Sequence, residues 1–401
     1  MTMATELMTT NMATTLMTET HTFFISPENA TSDSYFVMTT DDELINSTDD
    51  TSVENFTTAS DDILVTTPMG DGQTFRFEDY TQRAIIGSLV CFVALSGFVG
   101  NVLVILAVVL SKKLQTRTNA FVVNLASADL VTCLTAPFAA VALFSMNGWP
   151  MPEVVCIVAA AIGFPSVGCS IMNLAAISIN RFVLITRSIG TYHSIYTPKK
   201  IAAMLVFTWL YPALVCSLPL FGIGKYGYSD KYKTCSQDTS VESSDLFSML
   251  LSALIYPIPL IILFVCYFKI YRHVTGHMKK MMGEGIEMAE TSNPSGASST
   301  QLHKEPAGSF SKRQVQITKN LFLVVCAFIA CLAPFFIALL IPPSDPVIPW
   351  TGAIIIFNSA VNPVIYGVKH PHFKEVFRQM LRCRYHMIPE PSSCLRKMRS
   401  K

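Results

Sequence analysis

The residue best placed to do chemistry is an aspartate inside an otherwise apolar stretch. Asp129 lies in the segment NLASADL, and it is the one acid deep within such a run. A carboxyl group buried alone in an apolar medium is costly, so its position predicts polar partners. The candidate partners are hydroxyl and amide side chains in other apolar runs: Asn101, Ser170, Asn358, Ser359 and Asn362.

Two interpretations of this polar set remain open. Hard cations prefer oxygen ligands, so the set could hold a buried sodium ion. Alternatively, Asp129 is protonated and hydrogen-bonds to the amides without an ion. Both interpretations predict a single polar network. We expect no other cofactor or metal, because the eleven cysteines include no CxxC pair and no Cys/His cluster.

A second unusual polar residue is Arg181, near the end of the longest apolar stretch. No charged residue lies between Cys156 and Arg181. A helix from Cys156 to Arg187 would be about 48 Å long at ~1.5 Å per residue, more than the ~30 Å hydrocarbon core of a bilayer. Its ends must therefore emerge from the membrane. Arg181 then either extends along the helix to water or faces a cavity.

The elements that must position these residues are membrane spans. The chain has 401 residues, and only 14% are charged, against about 25% in a soluble protein. Seven apolar runs are long enough to span a bilayer. They lie near residues 83–110, 119–144, 153–186, 200–222, 246–271, 317–341 and 347–368. The sequence therefore predicts an all-α membrane protein, a seven-transmembrane helix bundle with a short amphipathic eighth helix.

The distribution of basic residues predicts the orientation. Lysines and arginines concentrate after the first, third, fifth and seventh runs, which places those joints in the cytoplasm. Residues 1–75 contain no lysine or arginine, and we expect residues 1–78 to form a disordered extracellular arm. Its sequons at Asn29, Asn46 and Asn55 predict glycosylation. We expect a plasma-membrane protein exported through its first span, since the start lacks the pattern of a cleaved signal peptide.

The domain boundaries follow from these segments. Residues 79–369 form the membrane domain, interrupted by a flexible cytoplasmic loop at 276–311 that is rich in Gly, Ser and Pro. Residues 370–401 form an amphipathic helix and a cytoplasmic tail. The helix is predicted by the helical spacing of Phe373, Phe377, Met380 and Leu381. Cys383, just after it, is either a palmitoylation site or an unmodified thiol.

Prolines inside the predicted spans indicate kinks. Pro259, Pro334 and Pro363 lie in the fifth, sixth and seventh runs, and each removes one backbone hydrogen bond of its helix. Kinked helices beside polar cavities are typical of bundles that adopt two packings.

In this order, one set per span, the motifs resemble those of the rhodopsin-like G-protein-coupled receptors. The resemblance covers about residues 80–385. It rests on Gly100-Asn101, Leu125 to Asp129, Cys156 with Cys235, Arg181, Trp209, Pro259 with Tyr267, Pro334, and Asn362-Pro363-x-x-Tyr366.

The resemblance implies a disulfide between Cys156 and Cys235, and specific roles for several side chains. Those that match the family's sodium pocket are Asp129, Ser170, Asn358, Ser359 and Asn362. Those that match the connector between ligand pocket and G-protein side are Ile171, Pro259 and Phe328. Those that match the groups that rearrange on activation are Arg181, Tyr267 and Tyr366, with Pro334 in the same switch. Asn180 stands where most relatives carry an aspartate beside the arginine.

Within the family, NLAAISINRF followed by YHSIYTPKK is most similar to the melatonin receptors and the insect receptors moody and trapped-in-endoderm. Several departures bear on the ligand. Leu332 replaces the tryptophan of most relatives, and Ile356 stands where opsins carry their retinal-binding lysine. Gly163 stands where amine receptors carry an acid, and Ile255 replaces a histidine expected for melatonin recognition.

The resemblance also implies an outer ligand pocket and partners. The pocket residues are Gly163, Phe164, Val167, Leu251, Ser252, Ile255, Phe335, Phe336, Leu339, Gly352 and Ile356. Such an apolar set with one hydroxyl suits a lipid-like or aromatic small-molecule ligand. The implied partners are a heterotrimeric G protein, arrestin and membrane lipids, with no nucleic acid.

Other function classes are less compatible with the sequence. Ligand-independent signalling or adhesion through the long arm remains an alternative. A transporter would require internal repeats around a central site, and none is present. We do not expect an enzyme, because the spans hold no second deep acid and no histidine that could form a catalytic pair.

Overall fold

The computed structural model describes residues 75–290, 322 and 325–399. The three sequons and most of the predicted cytoplasmic loop therefore lie outside the described residues. Eleven α-helices follow one another in this part of the chain. They are α1 (Tyr80–Leu110), α2 (Arg117–Phe144), α3 (Glu153–Thr186), α4 (Ile189–Ile195), α5 (Pro198–Cys216), α6 (Ser244–Ile255), α7 (Pro257–Glu290), α8 (Val325–Ala338), α9 (Ile348–Lys369), α10 (Pro371–Leu381) and α11 (Ser393–Arg399).

These helices form a seven-helix bundle. Six segments are long and apolar enough to cross a membrane: α1, α2, α3, α5 with the 3-10 turn Leu218–Phe221, α6 continued by α7 to Gly276, and α9 with the end of the 3-10 turn Pro342–Val347. The shorter apolar helix α8 lies between the fifth and the last of them. The short helices α4, α10 and α11 lie outside the spans.

Local sequence signals explain where several helices begin. The Asp79 carboxylate accepts hydrogen bonds from the backbone N–H groups of Thr81 and Gln82, at 2.9 and 3.3 Å, and so caps α1. Thr197 caps α5, and Pro198 occupies the first helical position, where its missing N–H has no partner to lose.

The fifth span is interrupted where prolines were expected to kink it. Helix α6 ends at Ile255 and α7 begins at Pro257, so the break falls at Tyr256, just before the predicted kink residue Pro259. Two prolines in the same turn leave two backbone carbonyls without N–H donors, which favours a break over a smooth bend.

Close helix contacts occur at small residues. A Cβ atom at Gly100 would lie 2.7 Å from Cβ of Pro363, and one at Gly168 would lie 2.6 Å from Cβ of Pro212. Only glycine allows these approaches, which bring α1 against α9 and α3 against α5. The largest buried apolar cluster runs between the helices from Tyr226 and Phe247 at one end to Tyr366 and Phe373 at the other.

One end of the bundle carries a short β-hairpin. Strands β1 (Tyr226–Ser229) and β2 (Thr234–Gln237) pair antiparallel, with Tyr226 opposite Gln237. We call this the hairpin end, and the opposite end, where α10 and α11 lie, the tail end.

Two segment boundaries differ from the expectation. Residues 75–78, expected to be disordered, pack on the hairpin: Phe77 is buried and its N–H donates to the carbonyl oxygen of Lys231 at 2.8 Å. Helix α7 continues to Glu290, so the first residues of the predicted loop at 276–311 are helical. Long polar side chains such as Lys279 and Lys280 have good helix propensity, which lets a helix extend beyond the membrane.

Candidate functional site

A disulfide fixes the hairpin to the third span. Cys156, in the first turn of α3, is bonded to Cys235 of β2, with the Cα atoms 5.4 Å apart. The Tyr226 hydroxyl also donates to the carbonyl oxygen of Cys216 at 2.8 Å. The hairpin is therefore held across the end of the bundle and covers the space between the helices.

A cavity of about 730 Å³ lies beneath the hairpin. Ten of the eleven predicted pocket residues line it, including Gly163, Ile255 and Ile356. The exception is Ser252, which is buried and donates its hydroxyl hydrogen to the carbonyl oxygen of Ser248 at 2.8 Å. The cavity wall between the helices is mainly apolar, but it also carries Thr132, Thr135 and Ser248, hydroxyl residues that the predicted set did not include.

The rim of the cavity is polar, which the predicted pocket set did not include. Lys231 forms an ion pair with Asp345 at 2.8 Å, and the Tyr232 hydroxyl donates to the same carboxylate at 2.6 Å. Burial, and then this hydrogen bond, raise the pKa of Tyr232, so its hydroxyl stays protonated and donates. These contacts join the hairpin to the turn before α9. A second acid on the rim, Asp245, forms no ion pair among the described residues.

The predicted polar network exists in the middle of the bundle. Asp129 is fully buried and accepts hydrogen bonds from Ser170 Oγ at 2.8 Å and from Asn362 Nδ2 at 2.9 Å, and the Ser359 hydroxyl lies beside it. Asn358 is also buried, but among the described residues its amide does not hydrogen-bond to Asp129. A carboxyl group and two hydroxyls thus converge from α2, α3 and α9, and oxygens of this kind bind small cations, whereas the Asn362 amide presents its Nδ2 donor to the carboxylate.

Asn101 belongs to the surroundings of this network. Its Nδ2 donates to the backbone carbonyls of Gly97 at 2.9 Å and Ser359 at 2.8 Å. Its Oδ1 is buried and has no hydrogen-bond partner among the described residues. The amide therefore ties α1 to α9 and leaves one acceptor unused.

Arg181 is enclosed by the bundle at the tail end. It is 6% exposed, so it does not extend along the helix to water. Its Nε and the hydroxyls of Tyr267 and Tyr366 are buried without hydrogen-bond partners among the described residues. Side chains from α3, α7 and α9 thus place three unused polar atoms in one region, an arrangement that can exchange partners at low cost.

Asn180 does not restrain its neighbour Arg181. Its Oδ1 accepts from the Thr118 hydroxyl at 2.7 Å, and its Nδ2 donates to the Tyr192 hydroxyl at 3.3 Å. The amide therefore ties α3 to the start of α2 and to the short helix α4. Its hydrogen-bonding capacity is used away from the arginine.

The remaining predicted switch residues lie in the core between these two regions. Ile171 and Phe328 are each 1% exposed, and Pro259 is buried. Pro334 is half-buried in α8. The connector residues thus fill the volume between the cavity and the surroundings of Arg181.

Two polar groups were missed in the sequence. Asn124 accepts from Trp209 Nε1 at 3.0 Å and donates to Asn173 at 2.8 Å, which joins α2, α3 and α5. Arg83 is buried in the first turn of α1 and donates to the backbone carbonyls of Leu143 and Ser145. The signal that found Asp129, a polar side chain within an apolar run, would have identified both.

The helix after the last span is amphipathic, with one difference from the predicted face. Phe373, Phe377 and Met380 are buried against the bundle, but Leu381 is 69% exposed. Cys383 follows α10 and is exposed. Its modification remains a prediction.

The chain is similar to known receptor proteins over most of its length. Residues 100–366 match the family described as "7 transmembrane receptor (rhodopsin family)". The alpha-1D adrenergic receptor of Mus musculus is 31% identical over 74% of this chain and 57% of its own length. A rhodopsin of Loligo forbesii is 29% identical over 74% of this chain and 66% of its own. The 5-hydroxytryptamine receptor 4 of Homo sapiens is 27% identical over 78% and 83%.

A solved structure shows the same fold. The crystal structure of squid rhodopsin superposes with a TM-score of 0.63 at 24% identity, covering 76% of this chain and 86% of that one. The chain spans less than two thirds of the length of the adrenergic relative. The family match begins within α1 and ends within α9, so it includes Asn101, Asp129, Arg181 and Tyr366, and the chain belongs to the rhodopsin family of seven-transmembrane receptors, a family of multi-pass membrane proteins that are not enzymes.

Proposed function

We propose that this protein is a receptor that binds an apolar, lipid-like or aromatic ligand in the cavity and activates a heterotrimeric G protein by rearranging its helices. The observation that carries this proposal is continuous packing. Ile171 and Phe336 line the cavity and belong to the same buried cluster as Phe328, Tyr267 and Tyr366 at the tail end. A ligand that favours one side-chain packing at the cavity floor can thereby bias the surroundings of Arg181.

The orientation is part of the proposal. The hairpin end faces the cell exterior and the tail end faces the cytoplasm, where the G protein and arrestin would bind. The Cys156–Cys235 bond supports this orientation, since disulfides persist on the oxidising side of the plasma membrane. The excess of lysine and arginine in the joints at the tail end supports it independently.

The test is G-protein nucleotide exchange with purified receptor and a panel of lipids and aromatic compounds. An active compound should lose potency by at least about tenfold in Phe164→Ala, which removes a ring from the cavity wall. Phe207→Ala is the matched control, because this ring is exposed on α5 and does not line the cavity. Exchange that is high without any compound and equal in both variants would favour ligand-independent signalling.

A second ligand class is favoured by the rim. Two relatives are named an adrenergic receptor and a 5-hydroxytryptamine receptor. In this chain Gly163 stands where amine receptors carry an acid, so the cavity wall has no acid at that position. At the rim, Asp245 forms no ion pair among the described residues, so a ligand with a basic group would place that group at the rim instead. Asp245→Asn should then weaken the binding of such a ligand. The control is Glu242→Gln, which should not weaken it, because Glu242 is an exposed acid three residues away and outside the cavity lining.

The kinship with melatonin receptors, moody and trapped-in-endoderm is also a proposal. It is supported by Asn180-Arg181 and by the segment YHSIYTPKK. We expect no melatonin response from the native chain because Ile255 cannot hydrogen-bond. A melatonin response that appears in Ile255→His would support the kinship, and its absence in a variant that still binds other ligands would count against it.

A further inference from the structure

The segment after α10 folds back onto the loop between α1 and α2. Ser111 and Pro391 face each other as an antiparallel bridge pair. Lys112 N–H donates to the carbonyl oxygen of Glu390 at 2.8 Å, and Ser392 N–H donates to the last carbonyl of α1 at 2.9 Å. These two bonds flank the pair, so Pro391 occupies a non-hydrogen-bonded position where its missing N–H costs nothing.

Side-chain burial supports the same contact. Ile388 and Leu395, on either side of the bridge, are each 3% exposed. The Ser111 hydroxyl donates to the carbonyl oxygen of Pro389 at 3.0 Å. The segment is therefore packed in place by backbone and side-chain contacts together, and the bridge holds it at the end of a membrane span.

The docked segment presents basic and apolar side chains together. From Arg378 to Lys401 the sequence has seven lysines and arginines and a single acid, Glu390. Exposed basic side chains of the segment and the loop are Lys112, Arg382, Arg384, Arg396 and Lys397. Exposed apolar side chains interleaved with them are Leu381, Tyr385, Met387 and Met398. This combination at a membrane boundary matches the chemistry of acidic lipid headgroups above acyl chains.

We propose that the α1–α2 loop and the docked segment 382–398 form one composite surface that binds anionic phospholipid headgroups of the inner leaflet. Docking is essential because it places Lys112 of the loop beside the basic residues of the tail. The inference rests on the proposed orientation, with the tail end in the cytoplasm.

The test uses the full chain in detergent micelles that contain equimolar phosphatidylserine and phosphatidylcholine. Native mass spectrometry measures the ratio of the two lipids bound. We expect Lys112→Gln/Arg396→Gln to lower this ratio by at least about fivefold, since each basic group near the surface contributes about that factor. The control Arg187→Gln/Lys199→Gln removes two exposed positive charges elsewhere at the tail end and should change the ratio less.

A second pair of variants leaves the charge unchanged. Ile388→Ser/Leu395→Ser removes the buried contacts and should lower the ratio. Ser393→Ala/Cys394→Ser alters two exposed side chains of the same segment that belong to neither the basic nor the apolar set, and it should not. A thermal melt of each variant verifies that the bundle remains folded. An equal ratio in parent and Ile388→Ser/Leu395→Ser, or an equal loss in both charge variants, would overturn the composite surface.

The docking itself is tested by a cross-link. In a background with Cys383 and Cys394 replaced by serine, Ser111→Cys/Pro391→Cys should form a disulfide, because the Cα atoms of such a pair lie about 4.5 Å apart. The cross-linked chain should keep its phosphatidylserine preference, and loss of the preference would contradict the proposal. These readouts need neither agonist nor G protein, so their failure would leave the receptor function standing. Protease accessibility of a C-terminal epitope in intact cells tests the orientation separately.

Discussion

At the hairpin end, a disulfide and four ion pairs between described residues join segments that lie far apart in the sequence. At the tail end, Arg181, Tyr267 and Tyr366 keep buried polar atoms without partners among the described residues. The hairpin end has one such atom, the Tyr228 hydroxyl, but it lies in the hairpin that the disulfide holds, whereas three such side chains occur together at the tail end. Under the proposed function, the cavity would keep its shape while the tail end changes its packing. Such an arrangement suits a protein that converts binding at one end into rearrangement at the other.

The largest expected effect comes from breaking the covalent link at the hairpin end. Cys156→Ser and Cys235→Ser should each abolish surface expression or ligand response, because loss of a structural disulfide typically costs about 2–5 kcal/mol. The double variant should be no worse than either single variant, since both remove the same bond. Surface labelling measures expression, and additive losses would contradict a shared role.

The Asp129 network lies between the two ends, and sodium would strengthen it. At a sodium concentration ten times its dissociation constant, the parent should gain about 1.4 kcal/mol of stability over a medium with an organic cation at equal ionic strength. Asp129→Asn should lose this gain, because the amide carries no charge to balance the ion. Thermal unfolding of purified protein measures the effect. Equal sodium sensitivity in both proteins would favour a protonated Asp129 without an ion.

At the tail end, the neutral residue beside Arg181 is expected to leave the resting state weakly held. Asn180→Asp would offer the arginine a charge-assisted hydrogen bond, worth about 1 kcal/mol more than a neutral one. Basal nucleotide exchange on the G protein should therefore fall about fivefold at matched expression. The Thr118 and Tyr192 hydroxyls can both donate to the new carboxylate, so the fold should be retained. Unchanged or higher exchange would show that residue 180 does not set the resting equilibrium.

The ion pair at the cavity rim should contribute a smaller amount to the free energy of unfolding. Lys231→Gln and Asp345→Asn each remove a half-buried partner of the contact between hairpin and turn. A double-mutant cycle on thermal unfolding should give a coupling energy of up to about 1 kcal/mol. A coupling energy of zero would mean that the disulfide alone holds the hairpin over the cavity.

The smallest effect is expected from pH at the hairpin end. The hydrogen bond from Lys233 has the largest effect on the pKa of Asp230 and lowers it, whereas burial, the next largest effect, raises it. The pKa of Asp230 is in sum below its usual 3.8. The carboxylate therefore stabilises the folded hairpin at neutral pH, and this stabilisation is lost as the pH falls below about 4. The protection factors of the backbone amides of residues 75–78, which correct for the intrinsic pH dependence of hydrogen exchange, should fall in that range, because Arg76 pairs with the same carboxylate. Asp230→Asn should remove most of this pH dependence, whereas an equal dependence in that variant would assign it to other acids.

The sequence alone determined the number of spans and the existence of a polar network around Asp129, whereas the pocket residues came from the resemblance to the receptor family. Apolar runs of membrane length and isolated polar residues within them are local signals, and both are readable without coordinates. The receptor motifs added the cysteine pair, because one motif per span in a fixed order is specific.

Only the tertiary structure decided which polar groups meet. Asn180 bonds to Thr118 and Tyr192 instead of restraining Arg181, and the Lys231–Asp345 pair closes the cavity rim. The tail docks by backbone hydrogen bonds from Lys112 and Ser392, which carry no side-chain signature. Such contacts join residues distant in the sequence, so helix periodicity and composition cannot specify them, and packing of the whole bundle selects among the partners that each polar group could take.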